Sequence, residues 1–218
     1  MNPATRTTQT TFRSATRDDC YAIAQLMRIA SDGVSDYVWS TLTDEHPGLT
    51  PIEIGARRYA NPDSLFSYKN CVLAEQAGEI IGMLLTFPFE EAEATGLDHT
   101  VSQEIPPALT PDVLEASEPD VLAPYSLETP GTWYICALAL FPAFRGQGIG
   151  TQLLSIAHQQ AAKQGFSELS LLCFEQNVEA LKLYQRHGFK VIDRNRVVPH
   201  PLIHHTGDVL LMTAPVQV

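Results

Sequence analysis

No run of apolar residues in this chain approaches the length that a membrane-spanning helix needs. No two of the four cysteines, Cys20, Cys71, Cys136 and Cys173, form a CxxC pair. That excludes the common zinc and redox spacings, and the thiols read as buried and free in a reducing compartment. Basic residues are scarce, with 14 Lys and Arg against 25 Asp and Glu and a net charge of −11. A nucleic-acid footprint is basic, so nucleic acid is excluded as a partner. The first eleven residues are polar and Thr-rich, and no apolar stretch follows them. They do not read as a secretory signal. A disordered tail over 1–10 and a cytoplasmic location are expected.

The shortage of bases is sharpest between residues 88 and 130, which hold ten acids, no Lys or Arg, and seven of the 15 prolines. Removing those ten from 25 leaves 15 acids against 14 bases elsewhere, so the imbalance lies in one segment. The stretch has no sustained period and reads as an acidic, Pro-rich insertion at about 88–130. A helical turn is expected within it near 111–117. A length of 218 residues otherwise suits one domain, spanning 11–218.

What is present is regular. A short strand is expected at 12–15. A helix follows, capped by Asp18 or Asp19, with Ile23, Leu26, Met27 and Ala30 on one face. Short helices are expected at 34–42 and 51–60, the second with Pro51 in its first turn. Residues 71–74 and 80–87 read as a hairpin turned at Gln76-Ala77-Gly78-Glu79. After the insertion come a strand at 133–140, a helix from Ile149 to Gly165, a strand at 169–174 and a helix at 177–187. Strands at 189–194 and 208–213 close the chain.

The chemistry-bearing segment is Arg145-Gly146-Gln147-Gly148-Ile149-Gly150, between a buried strand and a helix. A helix start offers free N–H groups and a positive dipole end, and glycines let backbone approach a ligand, so the unit suits phosphate oxygens. A P-loop is excluded because no Lys follows the glycines. A dinucleotide fingerprint fails at its third glycine, where Thr151 stands. Arg145, Gly148 and Gly150 match the pattern [QR]xxGx[GA]. Further on, Asn177 ends a strand, and Leu183-Tyr184-Gln185-Arg186-His187-Gly188-Phe189 matches LYxxxGF. Asn177 could also serve as a helix cap, and Tyr184 as a half-buried core aromatic.

On these two motifs the chain resembles the GNAT superfamily of N-acetyltransferases, in outline over 11–213 and in detail over 133–190. The resemblance implies an α/β fold with flanking helices and a mixed, splayed, mostly antiparallel sheet of six or seven strands. It implies acetyl-CoA as co-substrate in the V between the strands at 134–140 and 169–174. Its pantetheine arm would bond backbone at Leu138, Ala139 and Leu140, and its pyrophosphate would rest on Arg145, Gly146, Gln147, Gly148, Ile149 and Gly150. Asn177 and Tyr184 would complete the cofactor site, with Tyr184 protonating the leaving thiolate.

Acetyl transfer to a primary amine requires removal of the ammonium proton, by a base acting directly or through water. It also requires N–H donors for the oxyanion, which a bulged strand at 138–140 would supply. Some relatives carry Glu at the position of Leu172. Here the base candidates are Glu128, carried forward as catalytic, and Glu90 or Glu91. Direct transfer needs no protein nucleophile, so Cys136 and Cys173 are expected in the core. His200 and His204 suggest a loop lining the acceptor side, and no metal is expected. The expected partners are a small-molecule or peptide amine and a homodimer mate, with no membrane. The competing readings are a non-catalytic acyl-CoA-binding regulatory module of the same fold and a nicotinamide-dependent oxidoreductase.

Acetyl-CoA should raise the melting temperature of the purified protein, because a ligand selective for the folded state stabilises it. NADH and ATP should raise it less. A larger shift with NADH in a thermal-shift assay would reverse the assignment.

Overall fold

The hairpin expected around Gly78 anchors the first half of the sheet. Ala77 and Gly78 both take positive φ, 51° and 83°, the geometry that turns two strands back with matching twist. In the computed structural model, which describes residues 9–89, 120–127 and 129–217, this turn joins β2 (Cys71–Gln76) to β3 (Glu79–Phe89). The other strands are β1 (Thr11–Ser14), β4 (Thr132–Leu140), β5 (Glu168–Phe174), β6 (Lys190–Arg196) and β7 (Asp208–Pro215). They form one sheet in the order β1-β2-β3-β4-β5-β7-β6. Only β4 and β5 run parallel.

The five α-helices among the described residues cover both faces. On one lie α1 (Cys20–Ser31), α2 (Val34–Thr41) and α3 (Pro51–Tyr59), packed with Leu73, Met83, Leu85 and Phe87. On the other lie α4 (Ile149–Lys163) and α5 (Val178–Arg186), packed with Leu84, Trp133, Ile135, Leu169 and Met212. β3 is buried on both faces, and its sequence is accordingly a near-continuous apolar run.

The start of α1 differs from expectation. Asp19 makes no side-chain cap on α1 itself. Its carboxylate instead accepts from Thr16, backbone and hydroxyl, and from Arg13, which also bonds Glu75 on β2. The Arg13 guanidinium, ahead of the Thr16 bonds, holds the Asp19 carboxyl down to about 2. Pro88 and Phe89 pair with Trp133 and Thr132 inside β3 and so belong to the sheet. The helical turn expected at 111–117 and the tail at 1–8 lie outside the described residues.

Gly55, in the middle of α3, faces Trp39 of α2, which is 3% exposed. A Cβ there would lie 2.5 Å from Trp39 Cζ2. Alanine favours helix by about 1 kcal/mol over glycine, but overpacking a rigid ring costs about 1–3 kcal/mol. Gly55→Ala should therefore lower stability by about 1 kcal/mol, read from urea midpoints, although propensity alone predicts a gain.

Candidate active site

β4 and β5 pair only at Trp133↔Leu169, Tyr134↔Ser170 and Ile135↔Leu171. β4 stays bonded to β3 as far as Leu140, and β5 stays bonded to β7 as far as Phe174. Each strand is thus held along its outer side while the inner sides part after Ile135. The register of β4 on β3 skips Cys136, since Leu85 faces Ala137 and Thr86 faces Ile135. The bulge therefore sits at Cys136, not at 138–140 as expected. It reverses the alternation, so that Ala137 and Ala139 face the α1 side and Leu138 and Leu140 the α4 side.

A cavity of about 1140 Å³ opens between the parted strands. Leu138, Ala139, Leu140, Arg145, Gly146, Gly148, Ile149, Gly150, Asn177 and Tyr184 all line it. Gln147 does not: its side-chain amide turns away to the Ala143 carbonyl and to Gln76. Gly146 and Gly148 have φ of 74° and 78°, and a Cβ on either would meet nothing within 4 Å. Packing does not explain these glycines; left-handed backbone beside open space does. At Gly150 a Cβ would approach Leu183 Cδ2 to 3.1 Å, so this glycine lets α4 pack on α5. The amides of 146–150 donate to no acceptor among the described residues, as the first turn of a helix requires.

Tyr184 is buried between Phe189 and the cavity, and burial, aided by Cys173, raises its phenol above the ordinary value. The hydroxyl stays protonated at neutral pH. Asn177 caps α5, its Oδ1 accepting from the Ala180 N–H at 3.3 Å, and lines the cavity as well. Cys136 and Cys173 pack with the two core clusters, as expected, and also line the cavity. Burial pushes both thiols up to about 12, which leaves almost no thiolate.

The opposite wall carries Met27, Val34, Val38, Trp39, Phe66 and Tyr125. Glu128, Glu90 and Glu91 lie outside the described residues. The loop at 199–205 stands behind this wall. His200 Nδ1 accepts from the Leu202 N–H, and its ring meets Tyr37 edge-on. His205, unweighted in the sequence, is buried and reaches Tyr125 Oη through Nε2 at 3.0 Å. Its partners Phe174, Tyr125 and Asp32 all lie more than 30 residues away along the chain, so no local pattern marks it. No cluster of three His, Cys, Asp or Glu suited to a metal occurs among the described residues.

A model of the acetyltransferase (GNAT) family matches residues 34–189, well over half of the chain. The chain belongs to the GNAT acetyltransferase family. YycN of Bacillus subtilis (strain 168), an uncharacterized N-acetyltransferase, is 37% identical over 60 residues, 28% of this chain and 38% of that protein. The match therefore spans well under two thirds of that relative. A crystal structure of an acetyltransferase superposes with a TM-score of 0.65 at 25% identity, covering 95% of this chain and 100% of its own. The structure of yncA from Salmonella typhimurium with its cofactor acetyl-CoA shares the fold, with a TM-score of 0.54 at 15% identity over 96% of this chain and 95% of that one.

The open glycine turn at 145–150 makes a direct test available. Gly148→Val should abolish acetyl-CoA binding, since a branched side chain would fill the open space and resist φ of 78°. Circular dichroism should stay near wild type. Unchanged affinity in isothermal titration of the folded variant would mean that no ligand uses the space.

Proposed function

We propose that this chain is an acetyl-CoA-dependent N-acetyltransferase, built as one domain over 11–218, that moves acetyl to a primary amine without a covalent enzyme intermediate. The observation that carries the reading is the continuity of one cavity from the cradle at Gly146–Gly150, past the free edge of β4, to Tyr184. Each part suits a different piece of acetyl-CoA. The open amides and Arg145 suit the pyrophosphate. The edge of β4 beyond Ile135, unpaired toward β5, suits an extended amide-bearing arm. Bound there, acetyl-CoA supplies an activated acetyl thioester.

The protein's own residues then orient and move protons. Tyr184 Oη holds a proton that a departing thiolate takes up. The buried thiols stay out of the reaction. The mainly apolar wall formed by Met27, Val34, Val38 and Phe66 suits an amine on an apolar or extended body. Asn177 caps α5 through its side-chain oxygen and lines the cavity.

Tyr184→Phe removes one hydroxyl and keeps the ring. Turnover with the best acceptor of an amine panel, followed by thiol release, should fall about a hundredfold. Acetyl-CoA affinity should change little, because proton donation matters only as the thiolate forms. Wild-type turnover in the variant would return Tyr184 to a packing role. Acetyl-CoA binding without CoA release on any amine would favour the regulatory module.

A further inference from the structure

We propose that Tyr125 is the group that takes the proton from the acceptor ammonium, with His205 and Asp32 behind it as a relay to solvent. This inference rests on the acetyltransferase reading and names a residue that reading lacks.

Three segments far apart in sequence converge here. Tyr125 lines the cavity, and its Oη lies 3.0 Å from His205 Nε2. The His205 side chain is 2% exposed, and its Nδ1 lies 3.5 Å from Asp32 Oδ2. Among the described residues Nδ1 has no hydrogen-bond partner. The ring lies against Phe174, centroids 3.5 Å apart and planes 30° apart, which fixes its orientation. Burying an imidazole nitrogen without a full partner costs stability, and a buried polar chain ending at a cavity is where function is expected to offset that cost.

The alternatives on the described cavity wall are already engaged. Asp120 Oδ1 accepts from the Leu122 and Ala123 N–H groups. Glu179 pairs with Lys182 at 2.8 Å. Burial keeps the His205 imidazole below its ordinary value, against an upward pull from Asp32. A neutral ring can accept a proton, and the tautomer assigned here carries its hydrogen on Nδ1.

The step balances. One N–H bond of the ammonium breaks, and its proton passes to Tyr125 Oη. The Tyr125 O–H bond breaks in concert, and that proton joins the lone pair of His205 Nε2. The amine keeps its electron pair for attack on the thioester. The imidazolium sits beside the Asp32 carboxylate, and Asp32, 46% exposed, passes the Nδ1 proton to water. Tyr125 acts on substrate; His205 and Asp32 act through it and are positioning residues.

The test uses two acceptors of the same shape, a basic alkylamine and a fluorinated analogue whose nitrogen is already neutral at neutral pH. Tyr125→Phe and His205→Gln should each lower kcat/KM for the basic amine by about a hundredfold, and for the fluorinated one by no more than about threefold. Thermal melts check that both variants fold, and Tyr125→Phe, which keeps the ring, carries the test if His205→Gln does not. Equal losses with both acceptors would overturn the relay. So would an acceptor-selective loss in Glu128→Gln with Tyr125→Phe unaffected. A wild-type protein that acetylates neither amine would instead remove the acetyltransferase reading, and the relay with it.

Discussion

The parting of β4 from β5 after Ile135 is the constraint on which the rest depends. Two parallel strands of this length would ordinarily pair throughout, since an unpaired edge inside a protein leaves N–H and C=O groups without partners. Here each strand is bonded along its outer side, β4 to β3 and β5 to β7, and the two meet over three residue pairs. The closed end is held by a buried hydroxyl pair. Thr132 Oγ1 donates to the Thr129 carbonyl, so its contact with Ser170 Oγ at 2.6 Å is one in which Ser170 donates. The open end is lined by groups that a ligand can satisfy.

The two walls of the opening are built differently. On the α4 side the glycines of 146–150 place bare backbone beside Arg145 at the cavity edge. On the far side, apolar side chains from α1 and α2 are backed by a small third core of Val121, Val197, Ile203 and Val209, against which Tyr125 and Phe174 pack. Gly33 makes that core possible. Its φ is 101°, and a Cβ would overlap the Leu202 carbonyl oxygen. The loop at 199–205 therefore lies directly on the α1–α2 junction, where the His204 N–H bonds the Asp32 carbonyl at 3.1 Å.

Much of this was legible in the chain itself. The strands at 133–140 and 169–174 were visible as apolar runs because burial on both faces removes alternation. The glycine cradle was visible because left-handed backbone at a helix start leaves few residue choices. The direction of the Gln147 side chain was not legible, because a motif fixes neighbours in sequence while that direction depends on β2, which contributes Gln76. The bulge at Cys136 was misplaced because a register shift is a property of two strands and leaves no mark on one.

The sequence by itself determined the family, the order of elements and the glycine turn at the start of α4, since each depends on short-range spacing: turn chemistry, helical period and capping. Only the tertiary structure decided where the cavity ends and what stands there. Asp32, Tyr125 and His205 have no spacing to read, because their meeting depends on a core assembled from distant segments. The burial of His205, which lowers its imidazole below the ordinary value, comes from that packing alone.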